Sequence, residues 1–251
     1  MNANIINKSL MISCINNFFF ILIMKNIILI NSKIIVSSQK FSYTNIRSIY
    51  TAEARYAQTM NTIQNIKKYI PNYFIIFMDN SKISTDMIIN ISKEVDLFLN
   101  PVDDDILNND TDNNPTKAMG ELAQIKYALN YIDQIEFDWN NLFKICGRYV
   151  INSTFNYNEY ENNQNIFKVH GPLVDYKGKM CYYTSFYKIS KKNYNQFKIS
   201  IEESYQKFKN DLNLYNEPLE LIFCNAVNDK KIINTLGITV NAGATQLIED
   251  I

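Results

Sequence analysis

The stretch from Asn140 to Asn152, NNLFKICGRYVIN, constrains the fold more than any other part of the chain. Leu142 to Cys146 reads as a buried strand that breaks at Gly147, and Arg148 and Tyr149 follow at once. In an open α/β sheet, residues just past a strand's carboxyl end enter the ligand crevice. A guanidinium and a phenol there suit a phosphate-bearing ligand, because guanidinium binds phosphate oxygens through paired, charge-assisted hydrogen bonds. The other reading of the tripeptide is that Arg148 pairs with a neighbouring carboxylate.

The segments before this stretch alternate between two periods. Lys33 to Ser38 (KIIVSS) is short and β-branched, as expected of a first core strand. A helix follows from Ala52 to Tyr69, with Tyr56, Met60, Ile63, Ile66 and Ile70 on one stripe. Pro71 ends it. Arg55 in its first turn, Gln58 and Thr62 share a different face, which is either solvated or turned to a ligand. Tyr73 to Met78 is the second strand, and Asp79 after it is placed either to accept from a ribose or base or to cap a turn. A short helix from Ser84 to Ser92 and a strand from Glu94 to Leu99 follow. Asp103, Asp104 and Asp105 then form an acidic triplet, more in keeping with a solvated loop than with a cation site. A helix from Thr116 to Ile132 carries Lys117, Gly120 and Glu121 in its first turns, where backbone amides favour anions. The order to Tyr149 is therefore β-α-β-α-β-α-β. Right-handed crossovers make this a mostly parallel, Rossmann-like α/β sheet with helices on both faces.

The second half is less regular. Ile166 to Val169 and Cys181 to Lys188 read as strands, joined by a link with turns at Gly171-Pro172 and Lys177-Gly178. Helices are expected over Asn193 to Lys209 and Glu217 to Val227, and a last strand over Lys231 to Val240.

Composition narrows the classes. Twenty-five basic residues balance twenty-five acidic ones, which removes the electrostatic argument for a nucleic-acid partner. The four cysteines form no CxxC pair and have one histidine, His170, beside them, so a structural zinc site is disfavoured and a reducing compartment fits. Residues 1–30 read as an amino-terminal extension ahead of one domain, 31–251. The apolar residues within 15–30 are interrupted by Lys25-Asn26 and fall short of the roughly 20 needed to span a bilayer. The expectation is a cytoplasmic protein, with membrane association through residues 15–30 as the rival.

Taken together, RYAQTMNTI, FIIFMDNS, KAMGELAQIKYAL, FKICGRYV, CYYTSFYKI and PLELIFCNAV resemble, in order and spacing, the GT-A-type nucleotide-sugar glycosyltransferases of bacterial polysaccharide loci and large DNA viruses. The resemblance runs from about Lys33 to Ile238. It implies a GT-A nucleotide-binding sheet and transfer of a sugar from a nucleotide-sugar donor to a glycan, glycoconjugate or other hydroxyl acceptor. It places Asp79 on the nucleoside of the donor and Gly147-Arg148-Tyr149 at its diphosphate; the negative charge that develops on that diphosphate makes Arg55, Lys117, Lys144 and Arg148 the candidate cations, with Tyr149 a hydrogen-bond donor. Glu220 is the matching late carboxylate that would act as base, with Glu202 and Glu203 as fallbacks. His170, just before Gly171-Pro172, is either an acceptor-side residue or a turn histidine satisfied by backbone; Tyr183 is the other acceptor-side candidate, and Arg148 would neutralise the leaving group. The family's Asp-x-Asp metal motif is replaced here by Gly147-Arg148-Tyr149, which leaves a need for Mn²⁺ or Mg²⁺ open. Two other readings stand: an inactive adaptor of the same fold, and a sugar nucleotidyltransferase, disfavoured because SSQKFSYTN lacks the glycines of a phosphate loop.

Overall fold

The structure is a computed structural model that describes residues 25–170, 180–211, 213–214, 217–241 and 248–251. It is an α/β protein. β1 (Lys25–Ser32) leads to α1 (Ala52–Tyr69), β2 (Tyr73–Asp79), α2 (Thr85–Glu94) and β3 (Leu97–Leu99). A short α3 (Asp105–Asn108) and a π-helical turn (Asn109–Asn113) precede α4 (Lys117–Ile132) and β4 (Trp139–Cys146). β5 (Val150–Ile151), β6 (Asn165–Phe167), β7 (Phe186–Ser190), α5 (Tyr194–Asn210), α6 (Leu219–Ala226), β8 (Lys230–Ile232), β9 (Ile238–Asn241) and β10 (Ile248–Asp250) complete it.

Seven strands form one sheet in the order β3-β2-β1-β4-β7-β6-β8, in which only β7 runs against the rest. Alternation along β1 builds two cores. Ile27 and Leu29 face α4, α5 and α6, whereas Ile28 and Ile30 face α1 and α2. The result is a helix-sheet-helix sandwich. β5, β9 and β10 make a second, three-stranded antiparallel sheet beside it. Helix starts follow capping chemistry: Thr51 accepts from Ala54 N, Ser84 from Met87 N and Thr116 from Ala118 N. Asp104 of the acidic triplet caps α3 in the same way.

Several expectations are corrected. The first strand is Lys25–Ser32, not Lys33–Ser38, so residues 25–30 of the expected extension are the middle of the core sheet. The polar pair that interrupted the apolar run is accommodated at the strand's start. Asn26 donates to Pro71 O and Tyr157 Oη, and the Lys25 ammonium lies over the rings of Phe74 and Phe137. Membrane association through residues 15–30 loses its second half to this strand. Among the described residues no helix is long and apolar enough to cross a membrane, and residues 15–24 lie outside them.

Of the strand expected over Cys181 to Lys188, only Phe186 onward is continuous strand; Tyr182 makes an isolated antiparallel bridge to Val169, and its N–H goes to Glu220 O. The last strand is split by Gly237 (φ 73°), whose Cβ, if present, would lie 2.3 Å from Phe155 Cα. The link through Gly171-Pro172 and Lys177-Gly178 lies outside the described residues.

Candidate functional site

Strand order reverses between β1 and β4: from β1 the chain builds outward through α1, β2, α2 and β3, then returns over the opposite face through α4 to β4. The loops at such a switch point leave in opposite directions and open a crevice at the carboxyl ends of the strands. A cavity of about 340 Å³ lies there, within the range of small-molecule sites. Asn31 and Ser32 close β1 and Cys146 to Tyr149 close β4; all line it. Gly147 permits this close approach. A Cβ at that position would lie 2.7 Å from Ser32 Cβ and 2.9 Å from Ser32 Oγ, and Gly147 N donates to Asn31 O.

Five cations line the cavity (Lys33, Arg47, Arg55, Lys117 and Arg148) against two carboxylates, Asp112 and Glu121. Lys33 pairs with Asp112 at 2.9 Å. Arg47 is spent on the wall: it donates to Gln39 O, Thr111 O and Asn114 O and lies 4.2 Å from the Phe41 ring. It ties the 33–50 segment to the turn after α3.

Arg55 and Arg148 are different. Both are buried, at 6% and 9% exposure, and among the described residues neither pairs with a carboxylate. Arg55 donates to Lys33 O and Ser48 Oγ, and Arg148 to Asn241 O of β9. Burial, and then the like charge of Arg148, lower the Arg55 pKa to about 10, which still leaves it charged at neutral pH. Two desolvated guanidiniums that make no ion pair among the described residues are suited to an anionic ligand. The Tyr149 ring packs beside Arg148 (5.6 Å), and burial raises its phenol pKa, so the group stays a donor.

The remaining candidates divide. Lys117 lines the cavity with its side chain half exposed; burial opposes its charge, but Tyr149, Glu121, Cys146 and Glu220 more than offset this. Lys144, a candidate cation for the donor diphosphate, does not line the cavity. It is wholly buried and donates to Glu121 Oε1, Thr184 O (2.7 Å) and Cys146 Sγ (3.2 Å). Asp79 also turns away: it is fully buried and accepts from Ile34 N at 2.7 Å and from Ser81 N and Oγ. It shapes the wall by fixing the loop after β1 and presents no oxygen to a nucleoside.

Glu220, half-buried on α6, accepts from Thr184 Oγ1 at 3.1 Å and acts electrostatically on Lys117, Tyr43 and His170. His170 stacks on Tyr183 at 4.2 Å; burial lowers its pKa, with Glu220 and Glu249 working the other way. None of Glu220, His170 and Tyr183 lines the cavity. The fallback Glu202 is on the outer face, paired with Lys126 at 2.9 Å.

Sequence reasoning gave no role to Arg47, Gln124, Asn31 or Glu121. Gln124 Nε2 bridges Ser32 O (2.6 Å) and Asn80 Oδ1 (3.0 Å), joining the ends of β1 and β2 to α4. Asn31 Oδ1 is buried with no partner. The one available signal was the pair Glu121 and Gln124, polar residues on either side of Leu122 on a helix otherwise read as inward-facing; they are buried at 6% and 5% exposure.

The cavity does not fit a divalent cation. Each of its carboxylates is already in an ion pair, five cations face it, and no group of three metal-ligating side chains occurs among the described residues.

No family model matches the chain, and no curated protein matches it by sequence. Among solved structures it is similar to a glycosyltransferase involved in the glycosylation of the major capsid of PBCV-1 (9% identity, 84% of this chain and 82% of that one, TM-score 0.43). It is also similar to a nucleoside-diphosphate-sugar pyrophosphorylase from Vibrio cholerae RC9 (10%, 84% and 93%, 0.41). A third is 4-diphosphocytidyl-2C-methyl-D-erythritol synthase from Anaerococcus prevotii DSM 20548 (11%, 83% and 88%, 0.36). At these scores none of the three bears on what this chain does.

Proposed function

We propose that the chain is a glycosyltransferase that takes a nucleoside diphosphate sugar in the switch-point cavity and passes the sugar to a hydroxyl acceptor. The observation that carries this reading is the buried pair Arg55 and Arg148, which make no ion pair among the described residues. Breaking a glycosyl-phosphate bond develops negative charge on the leaving diphosphate, and preorganised cations in a water-poor site are effective at stabilising it. Arg55, Arg148 and Lys117 supply such cations, and Tyr149 adds a hydrogen-bond donor. Neutralisation in this reading rests on fixed side chains, since the cavity's charge is unsuited to Mn²⁺ or Mg²⁺. Glu220 would take the acceptor hydroxyl's proton, with an acceptor seated toward His170 and Tyr183.

The test is a thermal-shift panel of UDP-, GDP-, CMP- and dTDP-sugars in EDTA and in Mg²⁺ or Mn²⁺, followed by a transfer or donor-hydrolysis assay on any hit. A ligand at 100 times its Kd stabilises by about 2.7 kcal/mol, which is roughly 5–11 °C for a domain of this size. One nucleotide class should give such a shift without metal, and a folded Arg148→Ala should lose it. A well-folded wild type that no nucleotide sugar stabilises would overturn the proposal. Binding without turnover in any assay would favour the adaptor reading.

A further inference from the structure

The same cavity holds a carboxylate that a purely anionic ligand would avoid. Glu121 lines it from the first turns of α4, and its side chain is 5% exposed. Oε1 accepts from Lys144, which is itself fully buried. Oε2 lies 3.9 Å from Lys117 Nζ and receives no hydrogen bond among the described residues. An ionised carboxylate has about four acceptor positions over its two oxygens, so this group is under-used. Burial alone would push its pKa up, but Lys144 and Lys117 hold it below the usual glutamate value, so it remains an acceptor at neutral pH. A second unmet acceptor, Asn31 Oδ1, belongs to the same wall on a residue 7% exposed.

The wall thus offers unpaired cations at Arg55 and Arg148 and unmet acceptors at Glu121 and Asn31. Phosphate oxygens match the first and are repelled by the second. A molecule carrying both phosphate and hydroxyl donors matches both. A purely structural role for Glu121, as counter-ion to Lys144, needs one oxygen and gives no reason for the side chain to line the cavity.

We infer that Glu121 is a specificity-determining residue that accepts hydrogen bonds from ring hydroxyls of the bound ligand, either of its ribose or of the sugar to be transferred. This rests on the nucleotide-sugar reading above. It predicts that the site discriminates against phosphates that lack hydroxyls, and that this discrimination resides in one side chain.

Calorimetric titration of wild type and of the double variant Glu121→Leu/Lys144→Met tests it. The double variant removes the buried pair together, which proteins often tolerate. The probes are inorganic pyrophosphate, the free nucleoside diphosphate and the nucleotide sugar of the class that stabilises wild type. The double variant should keep pyrophosphate affinity within a few-fold and lose about 10- to 100-fold for hydroxyl-bearing ligands, the scale of one charge-assisted hydrogen bond. Loss with the nucleoside diphosphate assigns Glu121 to ribose; loss confined to the nucleotide sugar assigns it to the transferred sugar. Equal loss for all three probes, or no change for any, would overturn the inference and leave the nucleotide-sugar reading standing. A wild type that binds pyrophosphate but no nucleotide or nucleotide sugar would overturn both. If the double variant does not fold, Glu121→Gln, which keeps one acceptor oxygen but loses the charge, should show the same order of losses across the three probes at smaller size, and equal or no change for all three would again overturn the inference.

Discussion

Replacing Lys144 with methionine isolates the buried charge beneath the site. Methionine fills a similar volume but removes the ammonium that serves Glu121, Thr184 O and Cys146 Sγ together. Glu121 would then be a 5%-exposed carboxylate whose nearest cation, Lys117, is 3.9 Å away with its side chain half in solvent. Removing one member of a buried pair costs about 3–5 kcal/mol. Lys117 offsets part of this, which places the expected loss near 3 kcal/mol. For a domain of this size that lowers Tm by roughly 6–12 °C. Urea unfolding followed by circular dichroism should show a lower midpoint at unchanged slope, since the surface exposed on unfolding is the same. Adding Glu121→Leu should recover most of the loss, because the orphaned charge is gone. A Lys144→Met cost below about 1 kcal/mol, or a double variant no more stable than the single, would refute the account of this pair.

Other predictions follow from the geometry already described. Gly147→Ala places a methyl 2.7 Å from Ser32 Cβ. It should cost about 1–3 kcal/mol and weaken ligand-induced thermal shifts by spreading the ends of β1 and β4. Gly237→Ala combines a positive φ with contact on backbone atoms of Phe155; a loss of about 2 kcal/mol or more is expected in urea unfolding. Lys188 is fully buried, donates to Asn162 O and Gln164 O, and has its pKa lowered to about 8 by burial and then by Lys231. Because the unfolded lysine titrates near 10.4, the unfolded state binds more protons between pH 8 and 10.4, and stability should rise across that window. The slope should be absent from Lys188→Met, measured as the difference between the two urea midpoints at each pH.

The parts of the fold readable from the chain were those decided locally. α1, α2 and α4 begin where Thr51, Ser84 and Thr116 cap them, and β2 and β4 stand where continuous apolar runs meet polar or glycine stops. The choice between Ile27–Ile30 and Ile34–Val36 as first strand was not local, since both runs are equally apolar. It is made by β2 and β4, which pair with the first run from either side. The same limit applies to Asp79, Lys144 and Glu121. Their spacing placed them near a strand end or helix start, but which way each carboxylate or ammonium turns depends on partners such as Ile34 N and Thr184 O, 45 and 40 positions away. Arg55 was legible in position and not in burial: Thr59 and Thr62 share its inward face, and a threonine-rich buried face looks solvated in a hydrophobicity pattern.

The central place of β1 also has a consequence for how the protein is made. β2 can cover one edge of β1 soon after synthesis, but the other edge is closed by β4, which ends 114 residues after Ser32. At roughly 5–20 residues per second, a ribosome takes about 6–23 s to supply that partner. Throughout that interval a strand of four consecutive buried aliphatics, Ile27 to Ile30, shows open backbone hydrogen-bonding groups. The nascent chain is therefore most exposed to wrong pairing between the synthesis of β1 and that of β4, when neither wall of its cavity has yet met the other.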